Sequence, residues 1–326
     1  MTTNVNGTAR NSNNTRLDGA TTVLTWLPHH VLYVAPQESI QTVNVSTNNF
    51  DAEQGLAGGA AITVQTKSGT NQLHGVAFEY HNNGALKARN FFTPSDRGVP
   101  KYILNMYGGT LGGPIKKDKL FFFASWESMS ERQNFWALKT VATAAMRTGD
   151  FSATGVKLYD PNTGNPNGSG RSEIPNAKIP DTRISSVAKK MLALVPQPNL
   201  PGPVDNYYAE APQAYDRHNY DFKTDWVRSP KHTVWGKYSL MNSPVQCQFS
   251  LGEAGGAGLC NGGPGLGNTR VQLATLGSTY IFSPRFVVDG TIGFSRYAHK
   301  TRGPDFGTNF GLDVLGIPGT NGPDIR

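Results

Sequence analysis

Few residues of this chain have the side-chain types and the spacing that catalysis or metal binding requires. Asp221, Lys223 and Asp225 alternate along one strand-like stretch, so their side chains share one face. Two carboxylates on one face could serve general acid/base catalysis, but a polar, solvated face is the more common arrangement. His29 and His30 are adjacent and have no third residue at metal-ligand spacing. These residues therefore predict neither a catalytic centre nor a metal site.

A glycine-rich segment and two cysteines are the other candidates. The segment 263–267 (GPGLG) lacks the preceding strand, the following helix and the Lys-Ser/Thr pair of a phosphate-binding loop. Cys247 and Cys260 are the only cysteines, and their spacing is not that of a metal site. A disulfide within one loop, formed in an oxidising compartment, is the favoured interpretation, and two unpaired thiols are the alternative. The sequence thus predicts a protein that is not an enzyme and has no cofactor.

The composition favours strands, turns and long loops over helices. The chain has 326 residues, of which 37 are glycine and 21 are proline, and its mean hydropathy is −0.40. No stretch of about 20 apolar residues is present, which excludes a helical membrane protein. Membrane strands alternate in polarity, so a membrane β-barrel is still compatible with this composition. The net charge of +7 comes from Lys and Arg residues scattered near turns, which argues against nucleic-acid binding.

The stretch 108–131 predicts a β-hairpin around which the rest of the chain is organised. A glycine-studded apolar run ends at Pro114, a polar turn follows at 116–119, and an aromatic run leads away. In that run Phe122 and Trp126 share one face, while Phe121 and Phe123 share the other. Both faces are too apolar for an exposed strand of a soluble protein. We therefore expect lipid or a packed interior against this strand.

After Gly75 the sequence predicts seven alternating strands of about ten residues, the length that crosses a bilayer when tilted. On two of them we expect the apolar set to face lipid: Val76, Phe78 and Tyr80 on the first, and Tyr220, Phe222 and Trp226 on the fourth. The opposite face of the fourth strand carries the polar set, which we expect to be solvated in a lumen: Asp221, Lys223 and Asp225.

The lengths of the connections alternate along the chain. Short turns are expected at 116–118, 228–231 and 283–285, and long loops at about 82–101, 131–216 and 242–270. Short turns on one side and long loops on the other are typical of an outer-membrane barrel, and a soluble β-sandwich is the alternative. Within the longest loop, Ser185 is a candidate cap for a short helix over 187–195.

The residues before this region have a different character. They predict short strands around Ile40–Val45 and Ala60–Thr66, separated by polar turns. A loop of turn-forming residues then precedes the first long strand: Lys67, Ser68, Gly69, Thr70 and Asn71. An ordinary hairpin turn within a single sheet is the alternative for this loop.

Several long motifs between about residues 38 and 300 resemble TonB-dependent outer-membrane receptors of the Oar-like type. They are ESIQ (38–41), TNNFDAEQG (47–55), GAAI (59–62), TKSGTNQLHG (66–75), ARNFF (88–92), YGGTLGGPI (107–115), KLFFF (119–123), GDF (149–151) and IP (179–180). Their length and their consecutive order make the resemblance specific at the level of the family.

The resemblance implies an antiparallel transmembrane β-barrel preceded by part of a small mixed α/β plug domain. Residues 1–72 would be the C-terminal part of the plug, residues 73–326 the N-terminal part of the barrel, and 67–71 the hinge between them. It also implies a location in the outer membrane of a Gram-negative bacterium, contact with outer-membrane lipid, and energy relayed by the TonB complex. The imported substrate would be of the siderophore, saccharide or peptide class, bound at external loops and plug.

The sequence departs from the family pattern in ways that affect this expectation. It shows no signal peptide and no recognisable TonB-binding box, and it has too few strands to close a barrel. We therefore expect a piece of a longer receptor. The alternative from another class is a cell-surface adhesive or structural β-protein that binds glycans or protein partners.

Overall fold

The computed structural model describes residues 4–50, 54–55, 57–89, 91, 98–260 and 265–320. Parts of several predicted features lie outside the described residues: positions 51–53 of TNNFDAEQG (47–55), positions 90 and 92 of ARNFF (88–92), positions 263–264 of the glycine-rich segment, and parts of the expected loops 82–101 and 242–270. Among the described residues, no helix has the length and the apolar composition needed to span a membrane.

The N-terminal region forms short strands in two small sheets. A four-stranded sheet has the order β2-β1-β6-β5, in which β6 is parallel to β1 and antiparallel to β5, while β3 and β4 pair separately. The predicted strands around residues 40–45 and 60–66 are confirmed as β5 and β6. The earlier strands were missed because each has only two to five residues, too few to show an alternating pattern. Their bounds are β1 (Asn14–Leu17), β2 (Ala20–Thr21), β3 (Val23–Leu24), β4 (Leu27–Val31), β5 (Ile40–Ser46) and β6 (Ala61–Thr66).

The prediction of about seven long antiparallel strands is confirmed. They form one sheet in chain order, and β7 and β8 pair antiparallel from His74 opposite Gly112 to Asn83 opposite Ile103. Each strand thus pairs with the strands next to it in the chain. The strands are β7 (His74–Asn83), β8 (Tyr102–Lys116), β9 (Leu120–Lys139), β10 (Tyr207–Ser229), β11 (His232–Cys247), β12 (Gly265–Ser283) and β13 (Phe286–Arg302).

Most of these strands are longer than the sequence predicted. β9 continues to Lys139 and β10 begins at Tyr207, so the expected loop from 131 to 216 is much shorter. β10 has 23 residues, whereas about 9–11 tilted residues cross a bilayer. The extensions were missed because a hydrogen-bonded ladder can continue beyond the hydrocarbon, where both faces can be polar and the alternation fades.

The longest connection contains two α-helices, α1 (Ala144–Arg147) and α2 (Ser186–Leu194). The predicted cap of α2 is confirmed, since Ala188 N donates to Ser185 Oγ at 3.1 Å. The guanidinium of Arg147 donates to the carbonyls of Leu192, Val195 and Pro196 at 2.6, 2.9 and 2.6 Å. Arg147 thereby satisfies carbonyls at the C-terminal end of α2, which lack partners within the helix. No local pattern predicts this contact, because 45 to 49 residues separate its partners.

The chain divides into two compact units. The first contains 1–131, 215–245 and 267–300, and the second contains 132–214, 246–266 and 301–326. The core of the first unit combines N-terminal residues with residues of β11 and β12: Leu17, Leu24, Leu32, Tyr33, Met241, Val271 and Leu273. The second unit buries Ala209, Ala211 and Leu259. These units do not follow the expected boundary at residue 72, although β6 and β7 do belong to different sheets. The boundary stays a prediction.

Replacing Arg147 tests its role at the end of α2. Arg147→Ala removes the donors to three carbonyls at the end of α2 and one donor to Ala142 O, and we expect α2 to be destabilised locally by about 1–2 kcal/mol. Hydrogen exchange of the amides of 188–195 should become roughly tenfold faster by that estimate. Arg171→Ala is the matched control, because the Arg171 side chain is exposed and has no hydrogen bond among the described residues. Unchanged exchange in Arg147→Ala would remove the capping role.

Candidate functional site

A tight turn in the N-terminal region presents a buried carboxylate. Asp18 and Gly19 connect β1 and β2 and both have positive φ, 47° and 82°, which is the type I′ hairpin geometry that Asp-Gly favours. Thr66, at the end of β6, holds the Asp18 carboxylate: its N donates at 3.0 Å and its Oγ1 at 2.7 Å. The turn therefore fixes Asp18 in one orientation.

Two ammonium groups from the long strands meet this carboxylate. Lys237 Nζ on β11 lies 3.0 Å from Asp18 Oδ2, and Lys223 Nζ on β10 lies 3.5 Å from Asp18 Oδ1. Lys237 also lies 3.4 Å from Asp221 Oδ1. All four side chains are buried. Two of them are positively charged and two are negatively charged, so the cluster is neutral. Because a buried charge is costly unless it is paired, each member depends on the others. We call these four residues the ionic network.

Hydroxyl groups complete the coordination of Asp221. Tyr33 donates to Asp221 Oδ2 at 2.9 Å, Ser125 donates to the same oxygen at 3.3 Å, and Ser239 donates to Oδ1. Burial, together with the negative charge of Asp221, raises the pKa of the Tyr33 hydroxyl, which stays a proton donor. Tyr33 follows β4, so a second N-terminal segment reaches the same carboxylate.

The expectation that Asp221 and Lys223 are solvated is wrong. Asp221 is 4% exposed and Lys223 is 8% exposed, and both are covered by N-terminal residues. Asp225 is only half-buried. The alternation of β10 correctly put the three side chains on one face, but it carried no information about what covers that face.

A second polar contact lies further along the same strands. Glu127 on β9 pairs with Arg217 on β10 at 2.9 Å, and both side chains are largely buried. The backbone N of Gln37 donates to Glu127 at 3.4 Å. Asn219 Nδ2 donates to the carbonyl of Val34 at 2.6 Å. The N-terminal residues 33–39 thus form hydrogen bonds with both β9 and β10.

The predicted hinge, Lys67 to Asn71, is held by hydrogen bonds and by close backbone packing. Lys67 N donates to Ser39 O at 2.8 Å. Asn71 exchanges two hydrogen bonds with Asp118 in the turn between β8 and β9, at 2.6 and 2.8 Å. A Cβ on Gly69 would lie 2.3 Å from the carbonyl oxygen of Phe122, so only glycine fits there. The segment is a loop, as predicted, but a tightly held one. Its role as a hinge stays a prediction.

The side chains expected to face lipid divide between the two faces of the sheet. Tyr220, Phe222 and Trp226 are about half exposed, on the face opposite Asp221 and Lys223. Val76, Phe78 and Tyr80 lie on the other face. They share a face with His74, which is opposite Gly112 on β8. A Cβ added to Gly112 would touch the buried Phe123, so this is the face that carries the interior of the first unit. Tyr80 also donates to Glu38 at 3.3 Å.

The lipid-facing prediction for Val76, Phe78 and Tyr80 is therefore wrong. Alternation separates the faces of a strand, but it does not say which one faces lipid. On β7 the apolar set lies on the face that the N-terminal region contacts. The apolar character of these side chains does not identify the face that contacts lipid, because apolar residues occur both against lipid and in a packed interior.

Cys247 and Cys260 are joined as a disulfide in the structure, with their Cα atoms 6.1 Å apart. The disulfide lies in the second unit and borders a cavity of about 830 Å³ whose lining includes Phe249, Glu253 and Phe310. His29 and His30 contact each other, with ring centroids 4.4 Å apart. Among the described residues, no three His, Cys, Asp or Glu side chains are grouped as a metal site would require.

The chain is similar to known outer-membrane proteins. A family described as the outer membrane beta barrel domain matches residues 65–326. The TonB-dependent transporter Oar of Myxococcus xanthus is 36% identical over 94 residues, which are 27% of this chain and 9% of that protein. These matches confirm the predicted resemblance to Oar-like TonB-dependent receptors.

Two solved structures are also similar. The chain resembles a mutant of the ferric enterobactin receptor PfeA of Pseudomonas aeruginosa, in complex with enterobactin, with a TM-score of 0.48 and 10% identity. That match covers 91% of this chain and 34% of the receptor. A second PfeA mutant gives a TM-score of 0.40 at 11% identity, covering 91% of this chain and 39% of the receptor.

The ionic network can be tested by removing one charge. Asp18→Ala leaves Lys223 and Lys237 without their shared partner, and we expect a loss of about 3–5 kcal/mol in the free energy of unfolding. Glu173→Ala is the control, because the Lys157–Glu173 pair at 3.1 Å is exposed and should contribute little to the free energy of unfolding. Denaturant titration of the protein in detergent measures both. Equal losses in the two variants would contradict the network.

A pH titration is a second measurement of the same carboxylate. Burial would raise the pKa of Asp18, but Lys237, Lys223 and the Thr66 hydrogen bonds outweigh it and lower the pKa below the ordinary value of 3.8. The stabilisation is therefore fully present above that ordinary value and is lost as pH falls through the lower folded value. Asp18→Ala should lack this acid-dependent part of the unfolding free energy.

Proposed function

The chain belongs to the outer membrane beta barrel domain family and lies in the outer membrane of a Gram-negative bacterium, and from this premise we propose that it is part of a TonB-dependent receptor. The complete receptor binds a substrate and moves it across the outer membrane with energy relayed by TonB. The aligned part of the chain spans 9% of the transporter Oar, and the chain spans about a third of the solved receptors. The activity proposed is that of the complete protein.

In this proposal the N-terminal region is part of a plug, and β7–β13 are part of the barrel wall. The observation that carries it is the ionic network, which joins Asp18 of the N-terminal region to Lys223, Lys237 and Asp221 of the long strands. Tyr33, Val34 and Gln37 add hydrogen bonds to the same strands. The proposed plug therefore contacts the wall through polar groups at several separate points.

A polar contact of this kind suits a plug that must move. The attraction between paired buried charges is little larger than the free-energy cost of their desolvation. The charges regain their hydration when they return to water. Separating an apolar interface would instead expose hydrocarbon to water, at about 25 cal/mol per Å². A pull from TonB on the plug can thus open the polar part of the contact into a hydrated passage. The apolar cluster that Leu17, Leu24, Leu32 and Tyr33 form with Met241, Val271 and Leu273 must separate as well.

Substrate capture is assigned to the loops of the second unit and to the exposed part of the plug. The loop closed by Cys247 and Cys260 borders the cavity of about 830 Å³, which holds aromatic and acidic side chains, among them Phe249 and Glu253. A cavity of this size and lining fits a small ligand or the end of a larger one. The siderophore, saccharide and peptide classes all meet that requirement.

The lipid-facing surface is assigned to Tyr220, Phe222 and Trp226. Phe222→Arg should cost about 2–4 kcal/mol if the residue lies near the bilayer midplane. Val76→Arg is the control, because Val76 is 46% exposed against 50% for Phe222 but lies on the other face. The measurement is a folding titration of the protein into phospholipid vesicles. A loss at Val76 as large as the loss at Phe222 would contradict the assignment of faces.

Movement of the plug is tested by labelling a buried residue in living cells. Ser39 is 0% exposed, and the turn 37–39 that contains it contacts β8. Ser39→Cys is close in size, so a maleimide reagent should reach this thiol only when the contact with the wall opens. We expect labelling in growing cells that contain TonB and a large reduction in cells without it. Thr70→Cys is the control, since Thr70 is exposed and should react in both strains. Labelling of Ser39→Cys that is independent of TonB would overturn the proposal.

A further inference from the structure

The three short turns of the seven-stranded sheet carry a concentration of positive charge. They follow β8, β10 and β12, so they lie at one edge of the sheet. Two hydrogen bonds show how close they are: Val227 N donates to Lys119 O at 2.7 Å, and Ile281 N donates to Lys231 O at 2.8 Å. We call the turns and their exposed basic residues the basic edge: Lys116, Lys117, Lys119, Arg228, Lys231 and Arg285.

The charge of the basic edge is not neutralised by neighbouring residues. None of its six basic side chains forms an ion pair with any described residue. Asp118 is the one acidic residue in the turns, and its carboxylate accepts a hydrogen bond from Asn71. In the second unit, by contrast, some basic residues pair with acidic ones, as in Lys178–Asp150 and Arg183–Asp160. The three short turns together thus carry six basic residues and one acidic residue.

Aromatic rings lie beside these charges on the face of Tyr220 and Phe222. His232, Tyr280, Phe282 and Phe286 form a continuous row, with centroids 5.2, 4.5 and 5.2 Å apart. The guanidinium of Arg228 lies 5.9 Å from the centroid of the Trp226 ring. Tyr and Trp rings prefer the boundary between hydrocarbon and water, where Lys and Arg side chains extend into the headgroups. Rings and charges together match the depth profile of one membrane interface.

We propose that the basic edge is a binding surface for the headgroups of anionic phospholipids in the periplasmic leaflet of the outer membrane. In outer-membrane barrels short turns lie on the periplasmic side, which places this edge at that leaflet. Unpaired ammonium and guanidinium groups complement phosphate headgroups with net negative charge, and the aromatic row covers the adjoining part of the acyl chains. The surface thus selects lipids by charge and fixes the depth of the sheet in the membrane.

The test uses the full-length protein in detergent and native mass spectrometry. The protein is titrated with dioleoylphosphatidylglycerol or with dioleoylphosphatidylcholine, which share their acyl chains and differ in net charge. Wild type should prefer the anionic lipid. The triple variant Lys117→Gln/Lys231→Gln/Arg285→Gln removes one charge from each turn. At about fivefold per charge, its preference should fall roughly a hundredfold.

A matched triple variant removes the same charge elsewhere. Arg171→Gln/Lys190→Gln/Lys300→Gln changes three exposed basic residues outside the basic edge and should keep the preference of the wild type. If the first triple variant fails to fold, the wild type is titrated at raised salt instead. Screening by salt should weaken its preference for the anionic lipid.

Four results would overturn the proposal: a preference retained in the first triple variant, an equal loss in the matched variant, a salt-independent wild type, or a wild type that binds both lipids equally. If that last wild type captured an acidic periplasmic protein, the edge would be assigned to a protein partner.

Discussion

The buried charge of Asp18 is the constraint on which the first unit depends. A carboxylate without water must be paired, and Asp18 finds its partners on β10 and β11, more than 200 residues away in the chain. The Asp-Gly turn, the end of β6 and the register of two long strands must all be correct for the charges to meet. An error of one residue in β10 would move Lys223 to the other face and leave Asp18 with Lys237 alone. The ionic network therefore selects one arrangement of the N-terminal region on the sheet.

The local pattern of the sequence predicted the elements but not their surroundings. Alternation located all seven long strands and separated Asp221 and Lys223 from Tyr220 and Phe222, because side chains on a strand alternate strictly. It did not reveal that N-terminal residues cover Asp221 and Lys223, and it assigned the apolar side chains of β7 to the wrong face. Which residues cover a face depends on contacts between distant parts of the chain. The same holds for Arg147, whose partners on α2 are too far away in sequence for any local pattern.

The connection between β6 and β7 shows how composition and structure can disagree about mobility. Residues 67–71 have turn-forming side chains, which predict a flexible loop. In the structure Gly69 packs against the backbone of Phe122, and Asn71 is hydrogen-bonded twice to Asp118. The glycine is present because the backbones approach closely, not because the loop must bend. If this segment acts as a hinge, movement must first break its contacts with the turn between β8 and β9.

These contacts give the proposed mechanism a defined order. The hydrogen bonds of Asn71 are exposed to solvent, so water can replace them at little cost. The ion pairs of Asp18 are buried, so they can separate only when water enters between the N-terminal region and the strands. A pull transmitted along the chain would therefore free the connection first and admit water to the ionic network afterwards. The network then behaves as an all-or-none contact, because hydration of one of its charges removes the partner of the next.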